Sequence, residues 1–221
     1  MHNIVNNLLS IQSEIKLKIN ELNFKNYQPN IVAVSKTFSM QDILPLINHG
    51  HIHFGENKVQ EAIEKWTNLK NDFKHLKLHM VGKLQTNKVK YVVPLFDYIH
   101  SVDNIKLAEK ISKEEIKNNK KMKLFIQINI GNEDQKTGIS EDRLENFFNI
   151  CTKELDLNVI GIMCLPPNDN QSSKYFSKMI QLIKKIKLKE TSMGMSNDYL
   201  NAIKFKSTFV RIGTLIFGQR F

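Results

Sequence analysis

The sequence predicts an α/β fold, a single (β/α)8 barrel of the TIM type with an extra helix at the amino terminus. Eight short runs rich in apolar residues are separated by stretches with helical periodicity, and 221 residues suit such a barrel. A doubly wound open sheet is the main alternative, but no Gly-x-Gly-x-x-Gly turn follows the first predicted strand. The predicted strands are 31–35, 52–54, 78–81, 98–102, 124–130, 159–165, 192–195 and 209–212.

The helical patterns define the rest of the domain. Apolar residues recur at three- and four-residue steps from position 3 to position 22, which is typical of an amphipathic helix, and we expect residues 1–24 to pack on the barrel. Further helices are predicted at 39–49, 57–69, 85–93, 104–118, 141–153, 172–189 and 198–204. Because 41% of the residues are hydrophobic and no linker interrupts them, residues 1–221 are predicted to form one domain.

Composition disfavours several classes of function. The formal net charge is +10, but the lysines are spread over all the predicted helices except the one at 39–49, so a nucleic-acid surface is not predicted. His49, His51 and His53 lack a further ligand at metal-binding spacing, and Cys151 and Cys164 form no metal-binding or disulfide motif. No apolar run approaches the length of a membrane span. We therefore expect a soluble cytoplasmic protein with neither a metal nor a membrane partner.

Lys36 follows the first predicted strand, an apolar run of β-branched residues. A lysine at the end of a strand is often only the solvated edge of that strand. In a parallel α/β protein, however, the carboxyl ends of the strands form the functional face, and an amine there is placed to form a Schiff base. Both interpretations stay open on this residue alone.

A second candidate group lies at the end of the eighth predicted strand, where Arg211 is followed by Gly213 and Thr214. In barrels, phosphate often binds to N–H groups on the loops after the last two strands. Gly213 would let the backbone approach an anion, Thr214 would add a hydroxyl, and Ser196 would donate from the preceding loop or instead cap the next helix. Only three of the 32 basic residues are arginine, which suggests that a planar, permanent charge is needed at Arg211.

Five motifs follow one another along the chain and together have a specific likeness. They are Ala33-Val34-Ser35-Lys36-Thr37, Phe54-Gly55-Glu56-Asn57, His79-Met80-Val81-Gly82 with Leu84-Gln85 and Asn87-Lys88, Ser192-Met193-Gly194-Met195-Ser196, and Arg211-Ile212-Gly213-Thr214 with Ile216-Phe217-Gly218. In these motifs the chain resembles the pyridoxal 5′-phosphate (PLP) homeostasis proteins of the YggS/PROSC type. That family shares a barrel with the N-terminal domain of alanine racemase. One departure is Leu78, where the family usually has an aromatic residue.

The resemblance implies a role for each candidate residue. Lys36 would carry PLP as a Schiff base, Ser196, Gly213 and Thr214 would hold its phosphate, Arg211 would lie beside the pyridine nitrogen, and Asn57 and His79 would line the pocket. We expect a monomer that buffers PLP in the cell and hands it to the apo forms of PLP-dependent enzymes, with little or no turnover of its own.

Two other functions remain as alternatives. A PLP-dependent racemase or decarboxylase would need a second base opposite Lys36, which the sequence does not identify. A basic RNA-binding protein would show an affinity for nucleic acid that falls steeply with salt.

Overall fold

A computed structural model describes residues 3–133 and 135–219, and within these ranges eight parallel strands form a closed barrel in chain order. The strands are β1 (Asn30–Val34), β2 (His53–Glu56), β3 (Lys77–Met80), β4 (Tyr98–Val102), β5 (Lys123–Ile128), β6 (Val159–Cys164), β7 (Glu190–Met195) and β8 (Phe209–Ile212). β1 pairs with both β2 and β8, which closes the barrel. The predicted fold class, a TIM-type α/β barrel, is confirmed.

Helices connect consecutive strands. Those in the described ranges are α1 (Asn3–Glu21), α2 (Met40–Asn48), α3 (Val59–Trp66), α4 (Leu69–Asp72), α5 (Val89–Leu95), α6 (Ile105–Asn118), α7 (Leu144–Asn149), α8 (Ser172–Lys185), α9 (Tyr199–Lys204) and α10 (Thr214–Phe217). The helix predicted at 141–153 is α7 with a 3-10 turn before it and a π-helical turn after it. None of the helices between residues 3 and 219 is long and apolar enough to cross a bilayer.

The second strand extends beyond its predicted end at residue 54. Gly55 and Glu56 belong to β2 and pair with His79 and Met80 of β3. A side-chain carbon at Gly55 would come within 2.9 Å of Val32 Cγ1, so glycine is needed for close packing inside the barrel. This glycine signals a close approach of two strands, whereas the sequence pattern suggested that it began a loop.

The amino-terminal helix α1 packs against α2, α9 and α10 on the outside of the barrel. Ile4, Leu8 and Ile15 are buried in the same apolar cluster as the outward-facing strand residues. Asn7 Nδ2 also donates to the carbonyl oxygen of Ile216 at 2.9 Å. The structure does not describe residues 1, 2, 134, 220 and 221, so the two ends of the predicted domain lie outside the described residues.

A chain of polar side chains crosses the barrel interior from β2 to β8. Arg211 donates through Nη1 to Ser192 Oγ at 2.6 Å, and Ser192 Oγ lies 2.8 Å from His100 Nδ1. His100 Nε2 lies 2.9 Å from His79 Nδ1, and His79 Nε2 lies 2.9 Å from His53 Nδ1. Since a guanidinium only donates, we assign the Ser192 hydroxyl as the donor to His100 Nδ1. His100 and His79 then each donate through Nε2 to the next imidazole, and His53 Nδ1 accepts at the end. We call these five residues the interior column.

The three histidines of the interior column are neutral. Burial lowers the pKa of His79 and of His100 well below the usual value, and it lowers the pKa of His53 to about 4. Neighbouring positive charges act in the same direction, since Arg211 faces His100 and Lys77 faces His53. A neutral imidazole both donates and accepts a hydrogen bond, and the assigned chain requires both of His100 and His79.

Leu8 and Leu17 provide a test of the packing of α1. Leu8 is fully buried, whereas Leu17 on the same helix is 66% exposed. Leu8→Ala should lower the free energy of unfolding by about 2–5 kcal/mol, because it removes buried methyl groups and leaves a cavity. Leu17→Ala should change it by less than about 0.5 kcal/mol. Urea unfolding of both variants measures the difference, and equal effects would contradict the packing of α1 on the barrel.

The neutral histidines also predict how stability depends on pH. Their pKa in the fold is lower than the ordinary value of about 6.5, so below that pH the unfolded chain binds more protons than the folded chain. Stability should therefore fall as the pH decreases from about 6.5 towards 4, by up to about 1.4 kcal/mol per pH unit for each such histidine. Urea midpoints at pH 7.5, 6 and 5 measure this slope, and His53→Gln should reduce it. A midpoint that does not change between pH 7 and 5 would mean that the interior histidines are not neutral.

Candidate functional site

Six of the seven predicted site residues line one cavity of about 460 Å³ at the carboxyl ends of the strands. They are Lys36, Asn57, Ser196, Arg211, Gly213 and Thr214. The rest of the wall consists of Val34, Val81, Gly82, Leu165, Pro166, Pro167, Asn168, Met195, Asn197 and Asp198. The cavity wall therefore combines an amine, a guanidinium, a carboxyl group and several neutral hydrogen-bonding groups with apolar side chains.

The pairing of β1 with β8 brings the two ends of the chain together at this cavity. In the register of these strands, Val32 lies beside Arg211 and Ala33 beside Ile212. Lys36 follows the end of β1 by two residues, and Gly213 comes directly after β8. Residues almost 180 positions apart therefore share one wall because the barrel closes.

A buried carboxylate lies beside the backbone of the Lys36 loop. Glu56 Oε1 accepts from Ser35 Oγ at 2.8 Å and from Trp66 Nε1 at 3.0 Å, and Lys65 Nζ lies 2.7 Å away. Burial raises the pKa of Glu56, and Lys65 is the main group that opposes this rise. The sequence pattern gave no indication of these contacts, although Glu56 belongs to the motif Phe54-Gly55-Glu56-Asn57.

Arg211 is buried in the cavity wall at the top of the interior column. Its Nη2 donates to the carbonyl oxygen of Cys164 at 2.8 Å, and its Nη1 donates to Ser192. Burial lowers the pKa of Arg211, while Asp198 acts in the opposite direction. Arginine stays protonated at all ordinary pH values, so this wall of the cavity carries a fixed positive charge.

Ser196, Gly213 and Thr214 form a corner of the cavity where two neighbouring loops meet. Gly213 precedes α10, whose first N–H groups have no acceptor within the helix. Gly194 has a φ of +93°, and a side-chain carbon there would meet Ala202 Cβ at 2.6 Å, so glycine lets β7 turn towards Ser196. The next helix, α9, begins at Tyr199 with Asp198 before it, and Ser196 is therefore not its cap.

His79 is the one of the seven predicted site residues that does not line the cavity. Its side chain is fully buried in the interior column, and its ring stacks on Tyr98 with a centroid distance of 4.1 Å. Side chains that point inwards from one strand occupy successive levels of the barrel. Val81, two residues further along, reaches the cavity. His79 thus lies among buried side chains and not among those that line the cavity, and its predicted contact with the cofactor stays a prediction.

Several wall residues were not identified from the sequence. Pro166, Pro167 and Asn168 follow β6, between the strand predicted at 159–165 and the helix predicted at 172–189, and Asp198 follows β7. The position of these segments after strands was the available signal. Asp198 Oδ1 accepts from the backbone N–H of Met195 at 2.6 Å, and burial raises the pKa of this carboxyl group.

Comparison with known proteins agrees with the fold and the motifs. A family model described as the N-terminal domain of alanine racemase matches residues 13–220. The Haemophilus influenzae protein named pyridoxal phosphate homeostasis protein is 35% identical, with 99% of this chain and 96% of that protein aligned. The Aquifex aeolicus protein of the same name is 37% identical over 86% of each chain.

A solved structure gives the same relationship in three dimensions. PipY of Synechococcus elongatus, solved with PLP bound, has a TM-score of 0.78 and 29% identity, and the match covers 92% of this chain and 100% of PipY. The family match and the near full-length relatives agree with each other. The chain therefore belongs to the pyridoxal phosphate homeostasis protein family, within the fold of the alanine racemase N-terminal domain.

Proposed function

We propose that this protein carries PLP as a reversible Schiff base on Lys36, buffers its concentration and delivers it to apo enzymes. The observation that carries the proposal is that Lys36, Arg211 and the corner formed by Ser196, Gly213 and Thr214 open into one cavity. PipY, its relative, was solved with PLP bound. The acceptor enzymes and the monomeric state stay predictions.

The groups around the cavity fit the three chemical parts of PLP. An aldehyde needs an amine, a phosphate needs several hydrogen-bond donors, and a pyridine nitrogen needs a donor or a cation. Lys36 supplies the first, Ser196, Gly213 and Thr214 supply the second, and Arg211 supplies the third. Asn57 Oδ1 is also buried without a hydrogen-bond partner, which leaves an acceptor for a polar group of a ligand. This pattern supports the assignment of PLP to the cavity.

The covalent step would need only the neutral Lys36 amine. Nζ would form a bond to the aldehyde carbon of PLP, and the aldehyde oxygen would leave as water with the two protons that the amine gives up. Water or another amine reverses this bond and releases the cofactor or transfers it. Reversible attachment limits the concentration of free aldehyde, and this is the physical basis of the proposed buffering.

The position and charge of Arg211 support a carrier function rather than a catalytic one. A fixed positive charge beside the pyridine nitrogen disfavours its protonation, and PLP is then a weaker electron sink. Among the described wall residues, the ionisable side chains are Lys36, Asp198 and Arg211, and the carboxyl group of Asp198 is held by the Met195 N–H. The racemase or decarboxylase alternative predicts steady turnover of an amino acid by the PLP-loaded protein. We expect none above the rate of free PLP.

Lys36→Ala should abolish the adduct that borohydride traps on the protein, because the attacking amine is gone. The protein should remain folded, since the substitution lies beyond the end of β1. Visible absorption before and after reduction, followed by peptide mass mapping, measures the adduct. Lys83→Ala is the matched control, since this exposed lysine follows β3 at the same face of the barrel. An adduct that survives Lys36→Ala, or that is lost in Lys83→Ala alone, would contradict the assignment.

Arg211→Lys should weaken PLP binding by about tenfold or more and shift the absorption maximum of the bound cofactor. A single ammonium cannot reproduce the two guanidinium hydrogen bonds to Ser192 and Cys164 while also facing a ligand. Spectroscopic titration with PLP gives both quantities, and a urea midpoint shows whether the fold is retained. Unchanged affinity and spectrum in a folded variant would remove Arg211 from the site.

A further inference from the structure

The loop that carries Lys36 is attached to α3 through Lys65. Lys65 Nζ donates to the carbonyl oxygen of Ser35 at 2.9 Å and to that of Phe38 at 3.3 Å. These carbonyl groups flank Lys36 in the sequence. The Lys65 side chain is only 11% exposed, which is low for a lysine. Its ammonium group therefore holds the backbone on both sides of the proposed PLP lysine.

Two carboxylates complete this connection. Lys65 Nζ lies 2.7 Å from Glu56 Oε1 and 2.9 Å from Glu61 Oε1. Glu61 in turn accepts a hydrogen bond from the backbone N–H of Thr37. Glu56 is fully buried and also accepts from Ser35 Oγ at 2.8 Å. We call Lys65, Glu56 and Glu61 the α3 clamp, although Glu56 itself ends β2.

The loop needs such support because its backbone is strained. Thr37 has a φ of +69°, in the left-handed region that β-branched residues rarely adopt. Such a conformation persists where the surroundings fix it, and such strained residues cluster at functional sites. The Thr37 N–H is held by Glu61, and the carbonyl groups of Ser35 and Phe38 are held by Lys65. Lys36 thus lies between residues whose backbone is fixed from α3.

We propose that Lys65 and Glu61 are positioning residues that direct the Lys36 amine towards the carbon atom that it attacks. This inference rests on the proposed function of Lys36. Neither residue is among those lining the cavity, so neither is expected to contact PLP directly. Loss of the α3 clamp should slow formation of the covalent bond and leave non-covalent binding of the cofactor intact. Small displacements of a reacting group are sufficient to cause large losses of rate.

Lys65→Met and Glu61→Ala break the α3 clamp in different ways. Lys65→Met removes the ammonium but leaves Glu56 buried without its ion-pair partner, which destabilises the fold. Glu61→Ala removes the acceptor of the Thr37 N–H and one of the two carboxylates beside Lys65 Nζ. The Glu61 side chain is 23% exposed. The second variant keeps the test informative if the first is poorly folded.

Lys70→Met is the matched control. Lys70 Nζ donates to the carbonyl oxygen of Leu95 at 2.9 Å and to Asp97 Oδ2 at 2.5 Å, and its side chain is 16% exposed. It is therefore a partly buried lysine with backbone and carboxylate partners, as Lys65 is. Asp97 directly precedes β4, so this ion pair is at the opposite face of the barrel from the cavity.

Two measurements on the full-length protein separate positioning from general stability. The first is the rate at which a borohydride-trapped adduct forms on Lys36 at saturating PLP. The second is the affinity for pyridoxamine 5′-phosphate, which has no aldehyde and reports non-covalent binding alone. We expect the adduct rate to fall about tenfold or more in Lys65→Met and to fall also in Glu61→Ala. Pyridoxamine phosphate affinity should stay within about twofold, and Lys70→Met should change neither quantity.

The outcomes that would overturn the inference are distinct. Wild-type adduct rates in folded Lys65→Met and Glu61→Ala would show that the α3 clamp does not position Lys36. A parallel loss of adduct rate and pyridoxamine phosphate affinity would show a general structural role instead. If the wild-type protein itself formed no adduct on Lys36, the proposed function would fail, and this inference with it.

Discussion

The parallel pairing of β1 with β8 is the constraint on which the candidate site depends. It sets Val32 beside Arg211 and Ala33 beside Ile212, and the loops after the two strands then meet at one face. Without that closure, Lys36 would lie near one end of a sheet, and Gly213 and Thr214 would lie near the other. The site is thus a consequence of topology as much as of residue type. The closed barrel also encloses the interior column, which runs through the inside of the barrel from Arg211 on β8 to His53 on β2.

Burial determines the protonation states of the polar groups inside this barrel. The three histidines of the interior column stay neutral because desolvation outweighs any benefit of protonation, and Arg211 stays charged because a guanidinium does not lose its proton. Beside the Lys36 loop, the Lys65 ammonium group of the α3 clamp lies between two carboxylates and two backbone carbonyl groups. The Lys36 loop and the Arg211 wall are therefore each fixed by hydrogen bonds from outside the cavity. Such support is what a preformed binding site requires.

Sequence reasoning predicted the barrel because strand and helix patterns alternate clearly, and it placed Lys36 and Gly213 at strand ends for the same reason. It could not set the depth of His79 in the barrel, because two-residue alternation shows which side chains point inwards but not how deep they lie along the barrel axis. Gly55 was read as part of a loop, since a glycine that permits close packing looks like one that permits a turn. The role of Lys65 was not visible either. Lys65 lies four residues after Glu61 on a helix, which is the spacing of an ordinary surface ion pair. The contacts of Lys65 with Ser35 and Phe38 join residues that are far apart in the sequence.

The central claim is that PLP occupies this cavity with its aldehyde carbon bound to Lys36 and its phosphate at the corner of Ser196, Gly213 and Thr214. A structure of the protein co-crystallised with PLP tests this claim most directly. The account predicts electron density continuous from Lys36 Nζ to the cofactor, with the phosphate oxygens on those three residues and Arg211 facing the pyridine nitrogen. Density for PLP attached to another lysine, or a cofactor lying in the reverse orientation with its phosphate against Arg211, would contradict it.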